Sequence, residues 1–518
     1  MDRAHAIAAL LPLALAGCTG DRQPEAPAQG PAAPAAGVVH VIVDQSLDQV
    51  SSPFDSGFDG LSQLTALLRE HGATVSTNNR PLDAVAPRWG AGHVLVLGIP
   101  WGRGYDAAVR EALDGFMRRG GGVLVLSEHD NMYGSSDAHN GLTARYGIRT
   151  LGGAAQAPER AGEPTVARWP QVRAARFGIA DARLFWPAPL SVDPPAKPLL
   201  QLVDPADPAR AVVGALAPVG EGRLAVVADL ELFWNMAPRG GLSAGDNRRL
   251  ALELFGLLAG RDGALSGPAV RPVLPQAPAA AAPCVRFERS GGALYPDGAP
   301  NGLTRLARRL AARGLRVVAG RGTPRCERVV VAAPLSMVDP EVTRARRLLV
   351  IGDGRTDFAR AERALLEPLP LDLARGWGPD PYASLLHGTG IALPRATLLS
   401  RHQGLRGRAQ RSDGGGQLAL HRAGALQVDD GVRVLARAAG LRATHNLTPA
   451  HRAGGGQQAE LSSRPPRPAA PELASGNDAI VAAHTERVMV IADLELVSDQ
   501  SADGALLKAI AEWLGGRG

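Results

Sequence analysis

Lysine is almost absent from this chain of 518 residues, where Lys197 and Lys508 are the only two. Nearly all of the positive charge therefore comes from arginine, and the arginines are scattered among Ala, Gly and Pro while the net charge is only +6. The chain has no dense basic block with interleaved aromatic residues, which is the usual sequence mark of a nucleic-acid-binding surface. We therefore expect no nucleic-acid partner.

Several short motifs that bind cofactors are also missing. The chain has no phosphate-binding GxxxxGK[ST] loop, no GxGxxG after the first predicted strand and no EF-hand loop, so we expect no nucleotide cofactor. It also has no HExxH and no Cys-x-x-Cys motif. These absences exclude the most specific sequence signals for zinc.

Long apolar runs are scarce as well. The run Ala4–Ala16, apolar apart from His5, is about 13 residues long, too short to cross a bilayer of about 30 Å but typical of a signal-peptide core. No second stretch of about 20 apolar residues follows. We therefore expect no membrane-spanning helix, and lipid would be the only membrane attachment.

The apolar run ends in Leu-Ala-Gly-Cys at residues 15–18, which resembles the bacterial lipobox. This resemblance implies that residues 1–18 are a lipoprotein signal peptide and that Cys18 becomes the lipidated N-terminus. Thr19, rather than aspartate, then favours the outer membrane, and residues 19–37, rich in Pro and Ala, form a flexible tether. Asp2 weakens the usual positive start, which leaves an ordinary cleaved signal or a misassigned start as the alternative.

Cysteine is rare, with three residues in the whole chain. If Cys18 carries lipid, Cys284 and Cys326 remain, and in an oxidising compartment they either form a disulfide or stay free. The sequence leaves both possibilities open.

A Pro/Ala-rich linker at residues 262–283 separates two halves, 38–261 and 284–517, whose sequences resemble each other. Leucines at i, i+3 and i+7 in each half predict one apolar helix face, followed by a glycine stop. The recurring positions are Gly60, Leu61, Leu64, Leu68, Gly72 and Val75 in the first half and Gly302, Leu303, Leu306, Leu310, Gly314 and Val317 in the second. The clearest repeat is VVADLELF at 226–233 against VIADLELV at 490–497. We interpret the halves as one duplicated unit.

Continuous apolar strands alternate with amphipathic helices, which is typical of a parallel sheet covered on both faces. The predicted first-half strands are Val38–Val43, Ala73–Thr77, His93–Leu97, Gly122–Leu126 and Leu224–Ala228. The closing helices are predicted at Arg248–Leu258 and Ala505–Leu514. The region 152–219 is expected to add antiparallel strands at one edge.

Four segments carry a family resemblance: VIVDQS, a strand ending in GIP, the Gly-Gly-Gly turn before VLVLSEHDN, and ADLELFWN. They resemble DUF4350 and gliding-protein GldG-type domains of the class I glutamine amidotransferase-like fold. The resemblance covers most of 38–261 and, more weakly, 284–517. It implies an α/β fold with two tandem flavodoxin-like or amidotransferase-like domains, their parallel sheets flanked by helices.

Ligands of such sheets bind beyond the carboxyl ends of the strands. We therefore expect the ligand-binding residues Asp44, Ser46, Glu128, His129, Asn131, Asp229, Glu231, Asp493 and Glu495 at these ends. The simpler alternative is that these polar groups cap helices and stabilise loops.

Catalytic amidotransferases carry a cysteine nucleophile at the turn that Ser127 to His129 occupy here. Without that thiolate, glutamine amidotransfer has no nucleophile. Ser127 is a poor replacement, because adjacent side chains at a strand end are expected to point apart. The remaining catalytic candidates are Glu128, His129 and Asp229. Glu128, His129 and His139 are candidate ligands for a divalent metal such as zinc or manganese.

These observations together predict a lipid-anchored protein of the cell envelope, at the outer membrane. Its tandem amidotransferase-like domains would be a non-catalytic binding or scaffolding module, with an envelope protein partner in a transport or gliding assembly. The alternative is a metal-assisted hydrolase that acts on a carbohydrate or peptide at the first-half site.

Overall fold

The computed structural model describes residues 37–47, 49, 51–54, 60–100, 104–155, 169–236, 240–276, 282–299, 302–320, 326–335, 337–352, 385–389, 391–392, 405–411, 417–423, 426–428, 432–439, 480–492, 497 and 504–516. Residues 34–518 belong to one structural unit. The predicted signal peptide, Cys18 and all of the tether except Gly37 lie outside the described residues. None of the helices in the described part is both long and apolar enough to cross a membrane.

Strands and helices alternate along both halves. The strands are β1 Val39–Asp44, β2 Ala73–Asn78, β3 His93–Leu97, β4 Gly122–Leu126, β5 Ile148–Thr150, β6 Gln171–Ala174, β7 Ile179–Arg183, β8 Leu190–Val192, β9 Lys197–Leu202, β10 Val212–Val219, β11 Gly222–Val227, β12 Cys284–Phe287, β13 Arg316–Ala319, β14 Arg328–Ala332, β15 Arg347–Ile351, β16 Ile391–Ala392, β17 Leu405–Arg411, β18 Gln417–Ala423, β19 Gln427–Val428, β20 Arg433–Ala439, β21 Ile480–His484 and β22 Val488–Ile491. The helices are α1 Ser62–Glu70, α2 Leu82–Val85, α3 Ala107–Arg118, α4 Ser135–Thr143, α5 Asn247–Leu258, α6 Thr304–Ala312 and α7 Gly504–Gly515. The predicted strands and closing helices are confirmed to within two residues.

The described residues form two large mixed sheets of nine strands each, with orders β2-β1-β3-β4-β11-β10-β9-β6-β7 and β13-β12-β14-β15-β22-β21-β20-β17-β18. The first five strands of each order run parallel. The other four join antiparallel. The predicted parallel arrangement therefore holds for five strands of each sheet, and the antiparallel strands expected from residues 152–219 are confirmed at one edge of the first sheet. A tight hairpin at Gly220 returns the chain from β10 into β11, which forces antiparallel pairing beside the parallel core.

Alternate residues of the first sheet face two apolar layers, as the period-2 geometry of strands requires. One layer, which includes Val41 and Val96, packs against leucines of α1 and α5. The other, which includes Ile42 and Leu95, packs against α2, α3 and α4. Helices therefore cover both faces, as predicted.

The second sheet is covered on one face by α6 and α7, which pack on Val285, Phe287 and their neighbours. Cys284 and Cys326 form a disulfide with a Cα–Cα distance of 5.3 Å. The disulfide settles the question that the sequence left open, and it joins the start of β12 to the segment before β14.

The two halves contact each other directly. Phe54 from the first half is 1% exposed and lies in the core of the second half. The Arg69 Nη1 on α1 donates to the carbonyl oxygen of Gly292 at 2.9 Å, and its guanidinium lies 5.0 Å from the centre of the Tyr295 ring. The described part of the linker also packs, since Leu265 is buried in the first core.

Candidate functional site

The first-half candidates lie beyond the carboxyl ends of β1, β4 and β11, where the topology predicts them. They form two neighbouring polar groups. One is centred on Asp44, and we call it the Asp44 group. The other is an acid cluster made of Glu128, Asp229 and Glu231.

Asp44 ends β1, is fully buried and is saturated with hydrogen bonds. Its Oδ2 accepts from Ser46 Oγ at 2.9 Å and from Gln49 Nε2 at 2.7 Å, and its Oδ1 accepts from Asn78 Nδ2 at 2.7 Å. Gln49 Oε1 in turn accepts from the backbone N–H of Gly98 at 2.7 Å, after β3. This network ties three strand ends together, which is a structural role.

His139, a predicted metal ligand, belongs to the side of the Asp44 group. Its Nε2 lies 3.1 Å from the carbonyl oxygen of Gly98, and its ring is stacked 6.1 Å from that of Tyr105. Burial lowers the pKa of His139 to about 4, so the ring is neutral and Nε2 is the donor. Burial, with a smaller effect of Asp44, raises the pKa of Tyr105.

The acid cluster brings three carboxyl groups together away from water: Glu128, Asp229 and Glu231 are 1%, 0% and 7% exposed. Glu231 is close enough to Glu128 and Asp229 for their charges to affect its pKa, and its Oε2 is buried with no hydrogen-bond partner among the described residues. Because an ionised carboxylate only accepts, any hydrogen bond between two of these carboxyl groups needs a proton on one of them. The cluster therefore holds protons that exposed carboxyl groups would lose.

The pKa values of the cluster follow from this environment. Burial, with the Asp229 charge adding to it, raises the pKa of Glu128 to about 8. Burial also raises the pKa of Asp229, with Glu231 as the next cause, and that of Glu231, with Glu128 as the next cause. Desolvation favours the neutral form of each acid, and like charges at close range reinforce the effect.

Asp229 fixes the loop after β11 with both of its oxygens. Its Oδ2 accepts from the backbone N–H of Phe185 at 2.5 Å, and its Oδ1 accepts from Leu232 N–H at 3.2 Å, capping the short 3-10 turn Leu230–Phe233. The capping interpretation of this aspartate is confirmed.

His129 links the acid cluster to the surface. Its Nδ1 lies 2.5 Å from Glu128 Oε1, which also accepts from the His129 backbone N–H at 2.9 Å. The expectation that neighbouring side chains point apart is wrong for this pair, because the chain turns into a 3-10 helix at His129. On the outer side, the ring lies 5.4 Å from that of Trp186, which is 41% exposed.

Ser127 and Asn131 have local partners. The buried Ser127 Oγ accepts a hydrogen bond from Thr150 Oγ1 at 3.0 Å. Asn131 has a φ of 51° and bonds Asp137 through its side chain, with Nδ2 donating to Oδ2 at 2.8 Å. Both residues therefore stabilise the turn after β4.

The second-half candidates Asp493 and Glu495 lie outside the described residues. A carboxylate that the sequence analysis missed, Glu288, directly follows β12, the strand equivalent to β1 in sheet order. It is buried, its Oε1 accepts from the backbone N–H groups of Arg289 and Ser290, and its Oε2 pairs with Arg286 at 3.0 Å.

Across the described part of the chain, no group of three or more His, Cys, Asp and Glu side chains is arranged to hold a metal ion. The predicted ligands Glu128 and His129 touch each other, whereas His139 bonds Gly98. Sequence reasoning also missed Gln49 and Asn78. Asn78 ends β2, so the rule that predicted Asp44 could have found it, whereas nothing in the local sequence marks Gln49.

Residues 53–255 match a domain of unknown function, DUF4350. The match covers most of the first half and includes the whole acid cluster. It begins after Asp44, Ser46 and Gln49 of the Asp44 group. None of the curated proteins matches the chain.

Several solved structures are similar to part of the chain. The N-terminal domain of mmIFT52 is 18% identical with a TM-score of 0.35, over 43% of this chain and 98% of that one. A β-galactosidase from the haloarchaeon Halorubrum lacusprofundi is 17% identical with a TM-score of 0.27, over 45% of this chain and 32% of its own. The Salmonella typhimurium LT2 protein STM1381 is 12% identical with a TM-score of 0.24, over 37% and 88%. Likenesses this remote carry no argument about activity.

Proposed function

We propose that the protein is a lipid-anchored component of the cell envelope, attached at the outer membrane through Cys18. Its two halves would be tandem amidotransferase-like domains that arose by duplication. They would serve as a non-catalytic binding or scaffolding module with an envelope protein partner, in a transport or gliding assembly.

The state of the candidate catalytic groups carries this proposal. Glu128, Asp229 and Glu231 are buried close together, and the hydroxyl of Ser127 bonds Thr150. A nucleophile needs a base within hydrogen-bond reach, and a general acid or base needs access to substrate. Carboxyl and hydroxyl groups that are buried against other protein groups in this way suit a structural role.

Sheet topology supports the fold and the duplication. The parallel strands follow the order β2-β1-β3-β4-β11, which is the flavodoxin-like order, and the second sheet repeats the arrangement strand for strand. Similarity of fold alone does not determine which activity, if any, the protein has.

A labelling experiment tests the anchor. The full chain is expressed in a Gram-negative host fed an alkyne fatty acid, beside Cys18→Ser and Thr19→Asp. We expect label on the parent at the outer membrane, no label on Cys18→Ser, and label at the inner membrane for Thr19→Asp. An unlabelled parent, or label that survives Cys18→Ser, would contradict the anchor.

A turnover experiment tests the absence of catalysis. The purified chain is assayed against glycoside and peptide substrates and a serine-reactive probe, beside Ser127→Ala and Glu128→Gln. We expect the parent to behave like both variants. Turnover that either substitution removes would establish an enzyme.

The raised pKa of Glu128, next to His129 and the half-exposed Trp186, suits a general acid, and this favours one second candidate, the metal-assisted hydrolase with Glu128 in that role. Elemental analysis of untagged protein tests it. Stoichiometric metal that disappears in both Glu128→Gln and His129→Ala would support the hydrolase. Metal-free protein whose melting is unchanged by chelator would count against it.

A further inference from the structure

Three neighbouring strands of the second sheet carry arginine at their N-terminal ends, and we call Arg328, Arg347 and Arg487 the arginine row. Arg328 pairs in register with Arg347. Leu348 pairs with Val488, and its N–H donates to the carbonyl of Arg487 at 2.9 Å, so Arg487 lies beside Arg347. Adjacent strands are about 4.8 Å apart, so the row presents closely spaced positive charges.

The row lies at the C-terminal end of α7. Arg328 Nε donates to the carbonyl oxygen of Leu514 at 2.6 Å, and the Arg347 guanidinium lies 5.4 Å from the centre of the Trp513 ring. Cations at a helix C-terminus are favourable, so one arginine here has a structural explanation.

In the first half, a single arginine bonds the C-terminal end of the equivalent helix. Its equivalent register row is Val94, Gly122 and Arg223, and Arg223 Nη1 donates to the Leu257 carbonyl of α5 at 2.7 Å. A Cβ on Gly122 would lie 2.3 Å from the carbonyl oxygen of Leu258, so α5 closes over this position. Arg347 and Arg487 are therefore additional to what the helix end requires, and Arg487 also donates from Nε to the Ala345 carbonyl oxygen at 3.1 Å.

Two of the nearby acids are engaged elsewhere. Glu327 pairs with Arg346 at 3.6 Å, and Glu512 pairs with Arg313 at 3.1 Å. No ion pair among the described residues includes a member of the row, and Nη1 of Arg347 is buried with no hydrogen-bond partner there. Burial and the charges of Arg328 and Arg346 lower the pKa of Arg347. An anion would relieve this repulsion.

We propose that the arginine row binds the phosphate groups of anionic phospholipid headgroups. Guanidinium forks match phosphate oxygens in geometry and charge. The chain lacks the interleaved aromatics typical of nucleic-acid surfaces. The choice of lipid over soluble phosphate rests on the proposed anchor, which keeps the domains beside a phosphate-bearing surface.

Vesicle flotation tests the proposal. The full chain carries Cys18→Ser in every arm, so no acyl chain contributes and failure of the anchor is scored separately by fatty-acid labelling. Binding is measured to phosphatidylcholine vesicles with and without phosphatidylglycerol. The test variant is Arg347→Gln with Arg487→Gln, while Arg328 is kept because it bonds Leu514. The matched control is Arg88→Gln with Arg248→Gln, two exposed first-half arginines.

We expect a preference for phosphatidylglycerol that weakens with salt and falls about 25-fold in the test variant, about fivefold for each arginine. The control should keep the preference, and Arg347→Lys should keep most of it. Arg487→Gln alone, at an exposed position, should give a smaller loss, and urea unfolding of this variant measures what its bond to the Ala345 carbonyl contributes to stability.

Several outcomes would overturn the proposal. These are no preference for phosphatidylglycerol, an equal loss in test and control variants, or inorganic phosphate binding without vesicle binding. A DNA duplex that binds as tightly as vesicles, with the same loss in the test variant, would assign the row to nucleic acid instead.

Discussion

The acid cluster should control how stability responds to pH. Burial holds the pKa of Glu128 at about 8 in the folded chain, above its ordinary value of 4.5. Between these values the folded state keeps a proton that the unfolded chain releases, so its stabilising contribution is lost as pH rises through this window. Glu128→Gln should therefore reduce the slope with which the unfolding free energy decreases as pH rises, by up to about 1.4 kcal/mol per pH unit. Urea unfolding across this window measures the slope.

Glu111→Gln is the matched control, because Glu111 is an exposed glutamate on α3. Its slope should equal that of the parent. If Glu128→Gln also leaves the slope unchanged, Glu128 ionises normally and the buried proton is not there.

The Asp44 group gives a second residue-level prediction. Asp44→Ala removes an acceptor from the buried amides of Gln49 and Asn78, although Asn78 keeps its bond to the Arg80 carbonyl, and unpaired buried donors cost about 1–3 kcal/mol each. We expect a loss of roughly 2–5 kcal/mol in urea unfolding, with Asp44→Asn milder. The exposed Asp204→Ala should cost nothing measurable, and a loss for Asp44→Ala as small as for that control would contradict the network.

At the level of single elements, α5 packs so closely on β4 that only glycine fits at residue 122. An added Cβ would lie 2.3 Å from the Leu258 carbonyl oxygen and 2.8 Å from its carbon, so Gly122→Ala should cost more than about 2 kcal/mol. Gly141→Ala on α4 is the control, because a Cβ there meets nothing within 4 Å. It should stabilise by about 0.5–1 kcal/mol. Equal effects in urea unfolding would contradict the packing.

The elements differ in how well their sequence predicts them. Runs such as HVLVL and GVLVL are buried on both faces, so the sequence alone predicts β3 and β4 as parallel strands. The strand β17, LRGRAQR, has no apolar run, and only pairing with β18 and β20 defines it. Long-range pairing overrides local pattern in such strands.

The candidate site follows the same rule. The predicted ends of the strands gave the correct positions for Asp44, Glu128 and Asp229 at one edge of the sheet. Which side chains contact each other depends on turn geometry. His129 contacts Glu128 because the chain turns into a 3-10 helix there. His139 lies on α4, and this helix places its ring beside the Gly98 carbonyl. Sequence spacing does not encode these contacts.

For the whole molecule, Phe54 joins the two halves by inserting into the second core. Phe54→Ala should cost about 3–5 kcal/mol and also uncouple the halves, so that calorimetry resolves two unfolding transitions. Phe116→Ala is the matched control, equally buried but within the first half alone. It should lower stability without splitting the transition, and identical traces for the two variants would contradict the docking role.

The claim on which the proposed function depends is that the buried acid cluster keeps Glu128 protonated at neutral pH. Infrared difference spectra of the full chain at neutral pH, parent minus Glu128→Gln, test it most directly. The account predicts a protonated carboxyl C=O band in the parent that shifts or disappears in the variant, while Glu111→Gln leaves it unchanged. Ionised carboxylate bands alone would mean that the cluster is open and available for chemistry, which would contradict the structural role assigned to it.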